Sequence, residues 1–142
     1  AGLGLAAQQL GKDRRAEKHY RAALELRPDE WEIVNNLAWL LATTHESQLR
    51  DAAGAVALAE RAVASAGGNP DFLETLATAY AASGLYAQAH QAQERALHSL
   101  PHWASTESRA QLEDKRRAYW NLKEKKPNPG EPRGRNPAQG ER

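Results

Sequence analysis

Residues 69–84, NPDFLETLATAYAASG, hold the clearest structural signals in this chain of 142 residues. Asn69 offers a side chain that caps a helix, Pro70 has the backbone angle of a first helical position, and Asp71 places a negative charge in the first turn. Apolar residues then recur every three or four positions before Gly84, namely Phe72, Leu73, Leu76, Ala77 and Tyr80. The stretch therefore predicts an amphipathic helix that ends in a glycine turn.

The same arrangement occurs three times, at a spacing of about 34 residues. Leu-Gly or Leu-Ala pairs stand at 3–4, 37–38 and 76–77, whereas matching alanines stand at 23, 62 and 96. The intervals between successive units are 34 and then 39 residues for the pairs, but 39 and then 34 for the alanines. The repeat is therefore 34 residues long, and five extra residues occur once, between 41 and 55. We expect them to form a simple surface loop around 44–50. Shortening it should leave the fold intact, because doubling a loop costs only about 0.6 kcal/mol.

Apolar spacing and turn residues predict seven helices. Three antiparallel pairs and a final charged helix are expected, with the ranges 1–10 and 13–27, 29–43 and 52–66, 70–82 and 86–99, and 105–125. Gly11 and Gly84 are predicted to lie in the turns of the first and third pairs. A repeat of this length buries its apolar face by stacking on its neighbours, which favours a binding scaffold over an enzyme.

The order of these residues resembles the tetratricopeptide repeat. The third unit matches at Leu76, Ala77, Tyr80, Gly84, Tyr86, Ala89, Ala96 and Pro101, and the first at Leu3, Gly4, Gly11, Ala16, Tyr20, Ala23 and Pro28. The sequence from 35 to 84 is also similar to the C-terminal repeats of large bacterial members of the family. The resemblance implies an all-α fold of helix-turn-helix repeats stacked as a right-handed α-solenoid. The expected units are 1–30 with a truncated first helix, 31–69 with the insertion, and 70–103, followed by a capping helix at 104–126.

The resemblance also implies a concave groove, lined by the first helix of each unit, as the partner site. Its inner positions are the candidate site residues Glu32, Asn35, Asn36, Trp39, Thr43, Asp71, Glu74, Thr75 and Thr78. Asparagine can hydrogen-bond a peptide backbone as donor and acceptor, and a partly exposed Trp gives a large, rigid contact surface. The acids favour a neutral or basic peptide. In the alternative interpretation the Trp packs between units and the acids only stabilise helix N-termini.

Composition excludes several classes of function. The absence of Cys excludes thiol catalysis and thiolate metal sites, and no apolar run approaches the roughly 20 residues of a membrane span. His98 and His102 have metal-ligand spacing, but Pro101 interrupts the helix between them. No phosphate-binding loop or catalytic constellation is recognisable. We therefore expect no catalytic residue, cofactor or metal.

Charge is unevenly distributed along the chain. Residues 1–106 carry 9 Lys and Arg against 12 Asp and Glu, whereas residues 107–142 carry 10 against 6. This balance does not favour nucleic-acid binding. The basic run at 115–117, followed by Tyr119 and Trp120, has some capacity for anionic partners, although a solvated capping helix is the favoured interpretation. His90, Gln93 and Glu94 are predicted to face solvent. Residues 127–142, rich in Pro and Gly, predict a disordered, mildly basic tail.

Together these patterns predict a non-catalytic module that binds a protein or peptide in its groove. One alternative is an accessory repeat region of a larger enzyme or membrane protein whose catalytic part lies upstream. Another is self-association, in which the open apolar face of the truncated first unit pairs with a second copy. The absence of Met and the truncated first unit predict a fragment of a longer protein. The partner and the cellular compartment are left open by the sequence.

Overall fold

A computed structural model describes the backbone of residues 2–126 and the side chains of residues 11–126. This part of the chain is all-helical, which confirms the all-α class. Its six helices are α1 (Gly2–Leu26), α2 (Trp31–Thr43), α3 (Ala52–Ala66), α4 (Pro70–Ala82), α5 (Tyr86–Ser99) and α6 (Thr106–Lys125). The predicted tail at 127–142 lies outside the described residues, as do the side chains of residues 1–10 in the first unit, whose open face is predicted to self-associate.

Helix α4 begins and ends where its local signals predict. The Asn69 side chain accepts a hydrogen bond of 2.9 Å from the Asp71 amide at the N-terminus. At the C-terminus Gly84 has a φ of 75° and its N–H donates to the carbonyl of Ala81, while the next N–H, that of Leu85, reaches back to Tyr80. This paired bonding pattern satisfies the last carbonyls of the helix and turns the chain sharply into α5.

The first predicted helix pair is wrong. Gly11 does not form a turn, because α1 is one continuous helix of 25 residues. Glycine permits a positive φ but does not require one, and its cost inside a helix is only about 1 kcal/mol relative to Ala. The residues that follow, Lys-Asp-Arg-Arg at 12–15, include neither proline nor a second glycine. Helix α2 also starts two residues later than predicted, because Pro28 and Asp29 form a turn between α1 and α2.

The core consists of small and aliphatic side chains between consecutive helices. Each helix packs on the next in chain order, and α2 also lies against α4. Leu37, Leu41, Leu73 and Phe72 fill the interior, and many alanines are wholly buried at the contacts, namely Ala38, Ala55, Ala59, Ala62, Ala77, Ala79, Ala89 and Ala96. Alanine lets helix axes approach closely, so this arrangement needs few large residues.

The five-residue insertion is not a simple loop, contrary to the expectation from the sequence. Thr44 is buried, and its hydroxyl donates a hydrogen bond of 2.8 Å to Asp13 of α1. Glu46 forms an ion pair with Arg14, also on α1, and Leu49 packs against the core. The Arg14 hydrogen bond holds the pKa of Glu46 below its ordinary value. The insertion therefore fastens α1 to the rest of the molecule.

Helix α6 covers residues that were predicted to face solvent. His90 and Gln93 of α5 are buried rather than exposed. The Gln93 amide donates a hydrogen bond of 3.2 Å to the carbonyl of Leu112, the buried leucine of α6. The sequence analysis predicts a capping helix but does not place it on this face of α5. The side of α5 that carries these two residues is in fact the surface on which α6 packs.

Candidate functional site

Helices α2 and α4 lie next to each other and bring most of the predicted site residues together. Between them is a surface depression of about 230 Å³, called here the α2–α4 depression. Six of the nine predicted residues line it: Asn35, Asn36, Trp39, Asp71, Glu74 and Thr75. Glu32, Thr43 and Thr78 do not. Since α3 packs on both α2 and α4, it fixes the spacing of the two walls.

Two side chains of α2 are available to a partner at this depression. Trp39 is 42% exposed, so it is neither a fully packed core residue nor a free surface one. Asn36 is exposed one helical turn earlier. Residues three positions apart lie on the same side of a helix, so the indole and the amide are neighbours. The pair offers an apolar plane beside a donor and an acceptor.

Asn35 adds an unsatisfied polar atom to the same wall. Its side chain is buried, and the Oδ1 atom has no hydrogen-bond partner within the described part of the chain. Leaving a buried amide oxygen unpaired costs about 1–3 kcal/mol. Because this oxygen is itself buried, it is not presented to a ligand at the surface of the depression.

The three predicted threonines have a different role from the one expected. Each hydroxyl donates to the carbonyl four residues earlier in its own helix, at 2.7 Å for Thr43, 3.1 Å for Thr75 and 3.0 Å for Thr78. Thr75 is also buried. Because their hydroxyl protons are already used, the three threonines do not supply donors to a ligand. Only Thr75 lines the depression.

An ion pair that the sequence did not reveal crosses from the depression to α6. Glu74 accepts a hydrogen bond from the ammonium group of Lys115, which lies 41 residues further along the chain. One of the three predicted acids is thus compensated, whereas Glu32 and Asp71 are exposed. The basic character of Lys115 was visible in the sequence. Its position beside α4 was not, because it depends on how α6 packs.

A second polar region lies between α5 and α6. The buried His90 ring is 5.0 Å from the ring of Trp120, and its Nε2 atom is 3.3 Å from the guanidinium of Arg116. Arg116 also binds both carboxylate oxygens of Glu113. This hydrogen bonding holds the pKa of Glu113 below its ordinary value.

Neither region has the chemistry of a metal centre. Within residues 11–126, no group of three His, Asp or Glu side chains is placed to hold a metal ion. His98 instead bonds to the carbonyl of Glu94 within its own helix. Among the helices of the described range, none is long and apolar enough to cross a bilayer. What the α2–α4 depression offers is hydrogen bonding, apolar contact and negative charge.

Comparison with protein-family models, with curated proteins and with solved structures gives no match to this chain. The function proposed for this chain therefore rests on the arrangement of α2 and α4 around Trp39.

Proposed function

We propose that this chain is a tetratricopeptide-type scaffold that binds a peptide or protein segment in the α2–α4 depression without catalysing a reaction. In this proposal the helix pairs stack as a right-handed α-solenoid, and α6 caps its end. The observation that carries the proposal is the assembly of Asn35, Asn36 and Trp39 with three α4 residues around one depression. Tryptophan is one of the residue types in which interface hot spots are enriched.

The repetition of side-chain contacts supports the stacked arrangement. Tyr80 of α4 donates a hydrogen bond of 2.7 Å to Glu60 of α3, and burial and this bond raise the pKa of Tyr80 to about 12. Thirty-four residues after Glu60 stands Glu94 of α5, which lines the same two cavities as Arg116 of α6. Helix α6 therefore meets α5 much as α4 meets α3.

The outer surface of α6 supports its role as a cap. Helix α4 buries six of its residues, whereas α6 buries only Leu112. Positions 36 residues after Leu73, Ala77 and Tyr80 are Arg109, Glu113 and Arg116 in α6. These three charged residues line the cavity between α5 and α6 in place of an apolar stripe. The face of α6 that is exposed to water carries Glu107, Gln111, Asp114 and Ala118, as expected for the terminal helix of a repeat array.

The charge of the depression indicates the chemistry of the ligand. Asp71 is an exposed acid of the depression, and the Glu74 carboxylate beside it is held by a single lysine. A peptide with a neutral backbone and an occasional Lys or Arg meets these groups favourably, whereas an acidic peptide is repelled. Asn36 is placed to bond the peptide backbone while Trp39 packs against an apolar side chain.

A peptide selection tests this proposal. Random peptides displayed on phage would be selected on the full chain, and the best binders measured by titration calorimetry. Trp39→Ala should weaken binding by about 2 kcal/mol, the scale of a hot spot. Asn36→Ala should cost about 0.5–1.5 kcal/mol, the value of one hydrogen bond.

Trp103→Ala is the matched control, because Trp103 is 78% exposed and lies outside the depression. It should leave affinity unchanged. Thermal melting of each variant separates binding from folding. The proposal fails if Trp39→Ala lowers the melting temperature without changing affinity, or if Trp103→Ala is the change that abolishes binding.

A further inference from the structure

Helices α5 and α6 enclose a second groove, called here the α5–α6 groove. Two cavities of about 630 and 420 Å³ lie end to end along it and share Glu94 and Arg116. Their α6 lining extends from Thr106 to Asn121, which at 1.5 Å per residue is about 22 Å of helix. The groove shares no lining residue with the α2–α4 depression.

The groove is cationic at both ends. Arg109 lies at one end, and Arg117 lies beside Trp120 at the other. The ammonium group of Lys123 lies 4.8 Å from the centre of the Trp120 ring, adding positive charge there. The Arg117 side chain is 69% exposed and has a weak contact of 3.5 Å with Glu113, so most of its donors face solvent.

Between the two cationic ends the groove has apolar surface, and one of its two carboxylates is compensated. Leu97 of α5 and Ala110 of α6 contribute apolar surface there. Glu113 is occupied by Arg116, so this carboxylate is neutralised within the protein. An incoming chain thus meets positive charge, then apolar surface, then positive charge beside an aromatic ring.

We propose that the α5–α6 groove binds an acidic segment of a partner protein, with an apolar side chain on the Leu97–Ala110 floor and carboxylates toward Arg109 and Arg117. These arginines are eight residues apart on α6, about 12 Å along its axis. Carboxylates four residues apart in an extended peptide span about the same distance. This charge preference is opposite to that of the α2–α4 depression, so the two surfaces select different ligands.

A protein segment fits this groove better than a nucleic acid. Glu94 stands in the middle of the lining and is shared by both cavities, so a phosphate at every nucleotide would meet like charge there. A peptide can place its carboxylates at the two ends and an apolar residue between them. Charge complementarity of this spaced kind gives specificity as well as attraction.

The test uses a fluorescein-labelled ten-residue peptide with two acidic residues four positions apart and a Leu midway between them. Its binding to the full chain is followed by fluorescence anisotropy. We expect saturable binding that weakens with salt, because the contacts are between exposed charges. Arg117→Glu should raise Kd about tenfold, which corresponds to about 1.4 kcal/mol. Trp120→Ala should raise it about fivefold.

Arg61→Glu on α3 is the matched control, since Arg61 is exposed and lies outside both cavities. It should change Kd less than about twofold, although it alters net charge as much as Arg117→Glu does. Circular dichroism checks that every variant is folded. A peptide with Lys in place of its acids should not bind.

Four results would each overturn the inference. They are no saturable binding of the acidic peptide, an equal loss of affinity in Arg61→Glu and Arg117→Glu, binding only to phosphatidylserine vesicles, and a dimer in sedimentation that Arg117→Glu dissociates. The third would assign the groove to a lipid surface and the fourth to a second copy of the chain. Because the probe is acidic, its failure is distinguishable from a failure of the α2–α4 depression, which is tested with neutral or basic peptides.

Discussion

Gly84 and Gly11 have opposite conformational roles in this molecule. Gly84 adopts a φ of 75° at the end of α4, a region that side chains with a Cβ atom rarely occupy. Gly11 lies inside α1, and a Cβ atom built there meets nothing within 4 Å. One position therefore needs glycine and the other is weakened by it.

Alanine substitution at the two positions should change stability in opposite directions. Gly84→Ala should lower the free energy of unfolding by roughly 1–2 kcal/mol, the cost of a left-handed backbone. Gly11→Ala should raise it by about 0.5–1 kcal/mol, because Ala loses less chain entropy in a helix. Urea unfolding measures both. A destabilised Gly11→Ala variant would show that the chain turns at this glycine and would contradict the continuous α1.

At the scale of the helices, the insertion is the element whose role most needs a test. Thr44→Val removes the buried hydroxyl that donates to Asp13 and should lower the free energy of unfolding by about 1.5 kcal/mol, as expected for a hydrogen bond to a charged group. Thr43→Val is the control, because the Thr43 hydroxyl bonds only within its own helix. Equal effects in urea unfolding would show that the insertion does not fasten α1.

The bounds of helices α3, α4 and α5 could be predicted because the apolar period and the residues at the helix ends agree there. The apolar period identifies the buried face, and residues such as Asn69 and Gly84 fix the ends through local hydrogen bonds. At Gly11 only one weak signal was present, and it was interpreted by analogy with Gly84. Local sequence could not decide between a turn and a helix there, since the neighbouring residues accept either.

The candidate site was predictable as a helix face but not as a set of interactions. A period of 3.6 residues places Asn35, Asn36 and Trp39 on one side of α2 whatever the tertiary structure. The Glu74–Lys115 ion pair and the burial of His90 depend instead on the position of α6. Such contacts join residues distant in sequence, and nothing in either local segment encodes them.

At the scale of the whole molecule, stability should decrease from the middle to the ends. In the described range, α1 packs mainly on α2 and α6 mainly on α5, whereas α3 and α4 have neighbours on both sides. A chain of helices that contact chiefly their neighbours can open locally from its ends. Native-state hydrogen exchange should accordingly show the strongest protection in α3 and α4. Equal protection in all six helices would indicate a single cooperative unit.

If both proposed surfaces bind their ligands, the Glu74–Lys115 ion pair would link the two binding equilibria. A basic ligand that forms its own ion pair with the Glu74 carboxylate would release Lys115. The freed ammonium group would then raise the positive potential along α6. At about 10 Å in water one such charge is worth about 0.4 kcal/mol, or a factor of two in affinity for an acidic segment. Linkage is reciprocal, so the acidic segment would strengthen the basic ligand by the same factor. One lysine would thus make the scaffold favour holding both ligands at once.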